Sequence, residues 1–349
     1  MGKVLLINDV HVGHSSILEF NANWKEAVDI CVKRGITELI VGGDLYQSRS
    51  SQTLDVLLAV RAFLLYARDK GVYVTLANGN HDLVNQDAFE GYCHVFSHYP
   101  DVFVIDDFAA YDVSDTVTIH TVAYFPETGK FLDIYKELLA TIDKNKTNIL
   151  YIHAGINGAL AHPSEKDLPA NMFGDFDKVL VGHYHDRCHI EGTNVHYIGS
   201  SRQFNFGEDE AKGYTIVHED GSIEYIDNQA NMRYTTVETS FRKWNHPDTI
   251  KKLNEYRDGG RYKVRLRINC KQEEASSVNK KALLEAGANK VEIVVTDMKV
   301  IEAKTSSLFQ KFDTKQLVNT YSEFCEEKGI TDASIGVDYL SKINRECGD

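Results

Sequence analysis

The chain is predicted to be an α/β protein, and three observations carry that prediction. "KVLLIND", "ELIVGGD" and "VYVTLANGNHD" are short apolar runs that each end in polar residues. Between them, "NWKEAVDICVKRG" and "TLDVLLAVRAFLLYARDKG" space their apolar residues as amphipathic helices and stop at Gly35 and Gly71. The alternation of strand and helix implies strands buried on both faces and an α/β sandwich.

The later elements follow in order. "DVFVID" and "VTIHTVAYF" read as strands, "FLDIYKELLATIDK" as a helix, and "NILYIHAG" and "KVLVGHYH" as strands. "VHYIGSS", "GYTIVHED" and "SIEYIDN" read as antiparallel strands joined by turns containing Gly and Asp. After about residue 230 the texture changes to two helix-strand units, "DTIKKLNEYRDGGRYKVRLRINC" and "SVNKKALLEAGANKVEIVVTDMK". From about residue 305 the sequence is mostly polar and helical. With 349 residues there is room for one large domain and a smaller one.

Composition narrows the function classes. A net charge of −13 disfavours a protein that coats nucleic acid by bulk charge, and leaves room for local basic grooves. It also suits a site rich in carboxylates that needs divalent cations. No apolar run reaches the roughly 20 residues of a membrane helix. The apolar start of "MGKVLLINDVHVG" is too short for a signal peptide and reads as a core strand, so a cytoplasmic protein without a membrane role is expected. The six cysteines are scattered, with no C-x-x-C pair, which argues against a zinc finger or a disulfide scaffold.

The polar residues at the strand ends form one set. They are Asp9 and His11 after the first strand, Asp44 after the second, and Asn80, His81 and Asp82 after the third. His153, His183 and His185 end two later strands. Asp-x-His and Gly-Asp alone are ordinary turn chemistry, whereas Gly-Asn-His-Asp is rarer and Gly-His-x-His points two imidazoles the same way from an extended segment. In an open α/β sheet, however, the carboxyl ends of the strands share the edge where ligands bind. Carboxylates and imidazoles together suit a divalent metal such as Mn, Fe or Zn. Two such ions sharing a carboxylate can clamp the attacking and leaving oxygens of a phosphoryl displacement.

The series "DVH…GD…GNHD…H…GHYH", spanning residues 9 to 185, resembles the signature of the calcineurin-like metallophosphoesterases. The resemblance implies a four-layer α/β/β/α sandwich holding two metal ions. It implies that Asp9, His11, Asp44 and His185 hold one ion, and that Asp44, Asn80, His153 and His183 hold the other, with Asp44 bridging. His81 would face the scissile phosphate as general acid or transition-state stabiliser, and Asp82 would orient His81.

Within that superfamily, "HYIGSSRQFNFGEDEAKGYTIVHEDGSIEYI" resembles the SbcD-type recombination and repair nucleases, the compact phage-encoded members most of all. The match is specific in the first 230 residues and continues beyond them by order and length. It implies a nuclease domain over 1–235, a small α/β DNA-capping domain over 236–303 and a helical tail over 304–349. The tail carries a spaced apolar set that includes Leu308, Phe312, Tyr321 and Cys325. It would dock an SbcC-type, SMC-like ATPase. The resemblance further implies manganese, with magnesium as the other candidate, a homodimer, and the host cytoplasm if the protein is phage-encoded. One departure stands out: where the cellular nucleases often carry a second histidine, three residues after the bridging Asp, this chain has Gln47. Gln47 can hydrogen-bond a phosphate without moving a proton, and Arg49 is a candidate phosphate contact.

"GRYKVRLRINCK" places Arg261, Lys263, Arg265 and Arg267 on one face of a strand, as a candidate DNA-backbone track or as a pairing surface for nearby glutamates. The expected function is thus a metal-dependent DNA exo/endonuclease subunit working with an ATPase. The alternative enzyme is a small-molecule phosphodiesterase acting on nucleotides or cyclic nucleotides, against which the long extension argues. A scaffold without chemistry is disfavoured because every ligand position is filled.

Overall fold

The structure, a computed structural model, describes residues 2–160 and 166–295 together with 321, 325, 334 and 336. The expected helical tail therefore lies outside the described residues, apart from those four positions. The described residues fall into two compact units. The larger comprises Met1–Ile268 and Asn279–Glu292; Asn269–Val278 belongs to the smaller. Among the described residues no helix is long and apolar enough to cross a membrane.

The first half folds as its pattern predicts. Strand β1 (Val4–Ile7) leads to α1 (Ile17–Arg34), β2 (Glu38–Gly42), α2 (Leu54–Asp69), β3 (Tyr73–Ala77) and β4 (Val102–Ile105). Helix α1 ends at Gly35, where Ile36 N–H donates to Cys31 O at 2.8 Å. The chain continues through β5 (Phe108–Ser114), β6 (Val117–Val122), α3 (Lys130–Leu139), β7 (Thr147–His153), β8 (Lys178–Gly182), β9 (Cys188–His189) and β10 (Val195–Tyr197). Then come β11 (Gly213–Val217), β12 (Ile223–Asp227), β13 (Arg233–Ser240), α4 (Pro247–Gly259), β14 (Tyr262–Cys270), α5 (Lys280–Glu285) and β15 (Lys290–Val295).

The strands form two six-stranded sheets, in the orders β12-β11-β1-β2-β3-β4 and β5-β6-β7-β8-β10-β9, and a three-stranded sheet β13-β14-β15. β1 to β4 are parallel neighbours, as are β6, β7, β8 and β10. One expectation is corrected here. "VHYIGSS" does not pair with the two strands after it. β10 runs parallel to β8 in the second sheet, and only β11 and β12 form an antiparallel hairpin, in the first. The segment between β10 and β11 crosses from one sheet to the other, which no local pattern records.

Three cores explain why these strands are apolar throughout. Phe20, Trp24, Val60 and Phe63 of α1 and α2 pack on Leu5, Ile7, Leu39 and Val41. Val4, Leu6 and Ile40 meet Val117, Ile149, Tyr151 and Leu180 between the two large sheets. Phe131, Ile134 and Leu138 of α3 pack on Leu150 and Ile152. Truncating one of these aromatics, such as Phe63, to alanine costs about 3–5 kcal/mol. This packing brings the carboxyl ends of β1, β2 and β3 against those of β7 and β8.

Candidate metal centre

The loops after β1 and β2 are joined by backbone hydrogen bonds. Asp9 N donates to Gly43 O at 3.1 Å, and Val10 N and His11 N both donate to Asp44 O, at 2.9 and 3.0 Å. Close approach explains the glycines in "VGGD" and "NGNHD". Gly43 has φ +114°, and a Cβ there would lie 2.6 Å from His153 Nδ1. A Cβ on Gly79 would collide with Asp44. Among the described residues, five non-glycine residues have positive φ, and four of them are Asp9, His11, Asp44 and His183. Each such conformation costs about 1–3 kcal/mol and persists only where its surroundings hold it, so this backbone is bent to aim side chains.

The seven strand-end residues predicted as ligands come together. Asp9 and Asp44 are buried, as are His11, Asn80 and His153; His183 and His185 are partly buried. His11 Nε2 lies 3.2 Å from His185 Nε2 and 3.9 Å from Asp9 Oδ1. His153 Nε2 and His183 Nδ1 lie 3.1 and 3.2 Å from Asn80 Oδ1. Asp44 joins the two groups: its Oδ2 is 3.6 Å from His11 Nε2 and 3.3 Å from His153 Nε2.

The four imidazoles divide: burial lowers His153 and His185, but the charge and hydrogen bond of Asp44 lift His153 to about 9 and the hydrogen bond of Glu208 raises His185. Burial pushes the imidazoles of His11 and His183 down to about 4, the neutral form that ligates metal. Burial would also push Asp44 up, but the charge and hydrogen bond of His153, with His11 and His81, hold it well below the usual carboxylate range. Asp9, His11 and His185 offer ligand atoms within 4.8 Å of one another, and so do Asp44, His153 and His183. Carboxylate and imidazole donors converging at this spacing fit divalent metal ions.

His81 sits at the rim of this cluster. Its N–H donates to Asp44 Oδ1 at 2.8 Å, and its ring Nδ1 meets the Gln47 carbonyl oxygen at 2.7 Å. The expectation that Asp82 orients the His81 ring is corrected by these contacts. Asp82 is fully buried, and its carboxylate accepts the backbone N–H groups of Gly79 at 2.7 Å, Tyr46 at 2.8 Å and Leu45 at 3.2 Å. It ties the second and third strand-end loops together, while a main-chain carbonyl aims the imidazole. Gln47 and Arg49 are exposed and line the open cleft of about 300 Å³ above the cluster.

The basic stripe alternates as expected, with Val264, Leu266 and Ile268 buried beneath it. The charged groups of Lys263, Arg265 and Arg267 are engaged. Lys263 Nζ donates to Tyr234 OH at 3.1 Å, and Arg265 Nε donates to Thr236 Oγ1 at 3.1 Å. Arg267 pairs with Glu238 at 3.0 Å and Glu292 at 3.2 Å. These are side-chain pairs across neighbouring strands. Arg261 contributes its carbonyl, which accepts from Arg233 N at 2.8 Å.

Two supporting residues carried no signal strong enough to single out. Asn8, beside Asp9, donates to the Asp9 carboxylate and to Gly199 O at 3.1 Å, and accepts from Tyr151 OH at 3.0 Å. Glu208 Oε1 accepts from His185 Nδ1 at 3.0 Å. Asn8 was readable only as a neighbour of a candidate ligand, and Glu208 lies 23 residues beyond its partner.

No family model matches the chain. It is 25% identical over 248 residues to the SbcD component of the SbcCD nuclease of Staphylococcus saprophyticus, covering 62% of this chain and 65% of that protein. It is 26% identical over 243 residues to "Exonuclease subunit 1" of Enterobacteria phage T4, covering 65% and 68%. The chain thus spans about two thirds of the length of these relatives. Among solved structures, a dimetal phosphatase from Danio rerio matches with a TM-score of 0.42 and 11% identity over 62% of this chain and 92% of that one. The chain is thus similar in sequence to two nuclease subunits, and its fold gathers Asp, Asn and His side chains from five strand ends into one cluster.

Proposed function

We propose that the protein is a metal-dependent DNA exo/endonuclease subunit that hydrolyses phosphodiester bonds with two divalent ions, manganese in preference to magnesium. The observation that carries this reading is the position of Asp44, whose Oδ2 stands 3.6 Å from His11 Nε2 and 3.3 Å from His153 Nε2. One carboxylate placed between two imidazole groups is what a shared ligand requires. Asp9, His11, Asp44 and His185 would hold one ion, and Asp44, Asn80, His153 and His183 the other. Bound there, the ions would neutralise the non-bridging phosphate oxygens and activate water.

The remaining steps belong to the chain's own side chains. The Gln47 carbonyl can only accept, so His81 Nδ1 carries a proton and Nε2 is the nitrogen offered to substrate. Protonated, Nε2 gives its proton to the departing 3′-oxygen. The Gln47 amide and Arg49 on the same cleft are placed to bind phosphate oxygens without moving protons.

The same proposal divides the chain into a nuclease domain over 1–235, a DNA cap over 236–303 and a tail over 304–349. The tail would bind an SMC-like ATPase, within a homodimeric assembly in the cytoplasm that serves repair and recombination. Phosphate contact by the 261–267 stripe would have to displace Glu238 and Glu292.

The test is manganese-dependent degradation of single- and double-stranded DNA, run beside bis-p-nitrophenyl phosphate, with the wild type and His81→Ala. DNA cleavage lost with His81 supports the nuclease. Hydrolysis of the small diester without DNA cleavage, persisting after an SMC-like ATPase is added, would make the protein a small-molecule phosphodiesterase.

A further inference from the structure

The segment from Arg202 to Lys212 holds buried polar contacts that the reading above leaves unused. Glu208 lies at its centre. Besides His185 Nδ1, its Oε1 accepts from Asn205 Nδ2 at 2.7 Å, and its Oε2 accepts the Phe204 N–H at 2.9 Å. Lys212, fully buried, donates to the His185 carbonyl at 2.6 Å and pairs with Asp186 and Asp209. One segment therefore grips both the ring and the main chain of His185.

The other end of the segment is fastened to the three-stranded sheet. Gln203 Oε1 accepts the Tyr234 N–H at 2.8 Å, and Gln203 Nε2 donates to Tyr234 O at 3.0 Å and to Glu208 O at 2.8 Å. Its side-chain amide thus pairs with β13 as a strand backbone would. Arg265 of β14 donates to Phe206 O at 3.2 Å, and the Phe206 ring packs edge-on against Tyr234.

We propose that Glu208 is the positioning residue of His185, and that the segment carrying it passes the placement of β13 and β14 on to that imidazole. The inference rests on the metal-dependent reading above. An imidazole offers one nitrogen to a metal only while the other holds the proton. A carboxylate on Nδ1 fixes that tautomer and the plane of the ring. The nitrogen so presented, Nε2, is the one turned toward His11 and Asp9. Because Gln203 touches both Tyr234 and Glu208, a shift of the sheet reaches His185 through three hydrogen-bonded links in series, Tyr234 to Gln203, Gln203 to Glu208 and Glu208 to His185.

Manganese titration calorimetry on the full chain, with circular dichroism to confirm folding, tests this. The wild type first tests the metal reading: a chain that binds no manganese ends both. Two binding events without DNA cleavage would remove the nuclease and leave the inference standing. In Glu208→Ala one of the two events should weaken by about 10–100-fold with the other unchanged. Gln203→Ala, which touches no predicted ligand, should weaken the same event by less. In the metal-free protein, histidine ¹⁵N shifts should move His185 from the Nδ1–H toward the Nε2–H tautomer when Glu208 is removed. Unchanged affinities, or equal weakening of both events, would overturn the positioning role, and an unaltered Gln203→Ala would overturn the link to the sheet. If Glu208→Ala does not fold, Glu208→Gln takes its place, since it keeps the Phe204 contact and removes the charge. One weakened event then supports the role, and wild-type affinity overturns it.

Discussion

His81 and Gln47 are joined through the main chain: the imidazole Nδ1 meets the Gln47 carbonyl oxygen at 2.7 Å. The Gln47 side chain is not what orients the ring. Gln47→Ala should therefore keep turnover of bis-p-nitrophenyl phosphate within about tenfold, whereas His81→Ala should lower kcat by about 10²–10⁴. Metal stoichiometry should be unchanged in both. Equal losses would shift the phosphate-side role from the imidazole to the amide.

Asp44 faces both imidazole groups, so its removal should act on both ions. In Asp44→Ala both manganese-binding events are expected to collapse together, and activity with them. His153→Ala, whose ring meets Asp44 and Asn80, should impair one event more than the other. Calorimetry on the two variants separates a shared ligand from a private one.

Asp82 is tied to three backbone N–H groups rather than to the His81 ring. Asp82→Ala leaves those buried donors unpaired, which should destabilise the fold by on the order of 3 kcal/mol. A urea midpoint that falls before kcat does is the expected result. A fall in kcat at unchanged stability would return Asp82 to orienting the imidazole.

Glu38 supplies a pH dependence away from the metal cluster. Burial pushes its carboxyl from the ordinary 4.5 up to about 7, only partly opposed by the hydrogen bond from Thr75 Oγ1 at 2.6 Å. The folded state therefore keeps a proton that the unfolded chain gives up. The contribution is fully present below about pH 4.5 and is lost as pH rises through 7. The loss should be about 2–3 kcal/mol. Urea unfolding at pH 4.5 and 8 should show this difference flattened in Glu38→Gln, and an identical slope in both proteins would refute the assignment.

The stripe on β14 can be tested through salt. If Arg265 and Arg267 exchange their partners for phosphate, alanine at both should lower the slope of log K against log salt for DNA binding by about 2. Replacing Glu238 and Glu292 with glutamine should tighten binding. An unchanged slope would leave the arginines as cross-strand partners alone.

The sequence by itself determined the alternating α/β pattern and the positions of the strand-end residues. Both are local: an apolar run sets a buried strand, and a polar residue at its end stands out against it. Asp9, Asp44, Asn80 and the histidines were legible for that reason, and so was the end of α1 at Gly35. Tertiary structure decided what those residues touch. It put β10 in the second sheet, turned Asp82 to the backbone and set Glu208 on His185. It also answered Arg267 with Glu238 and Glu292, which lie on two other strands. Such pairings depend on sheet order and on segments that cross between sheets. Burial then selects among many possible partners those that satisfy a charge or a hydrogen bond, and that selection operates only once the chain has packed.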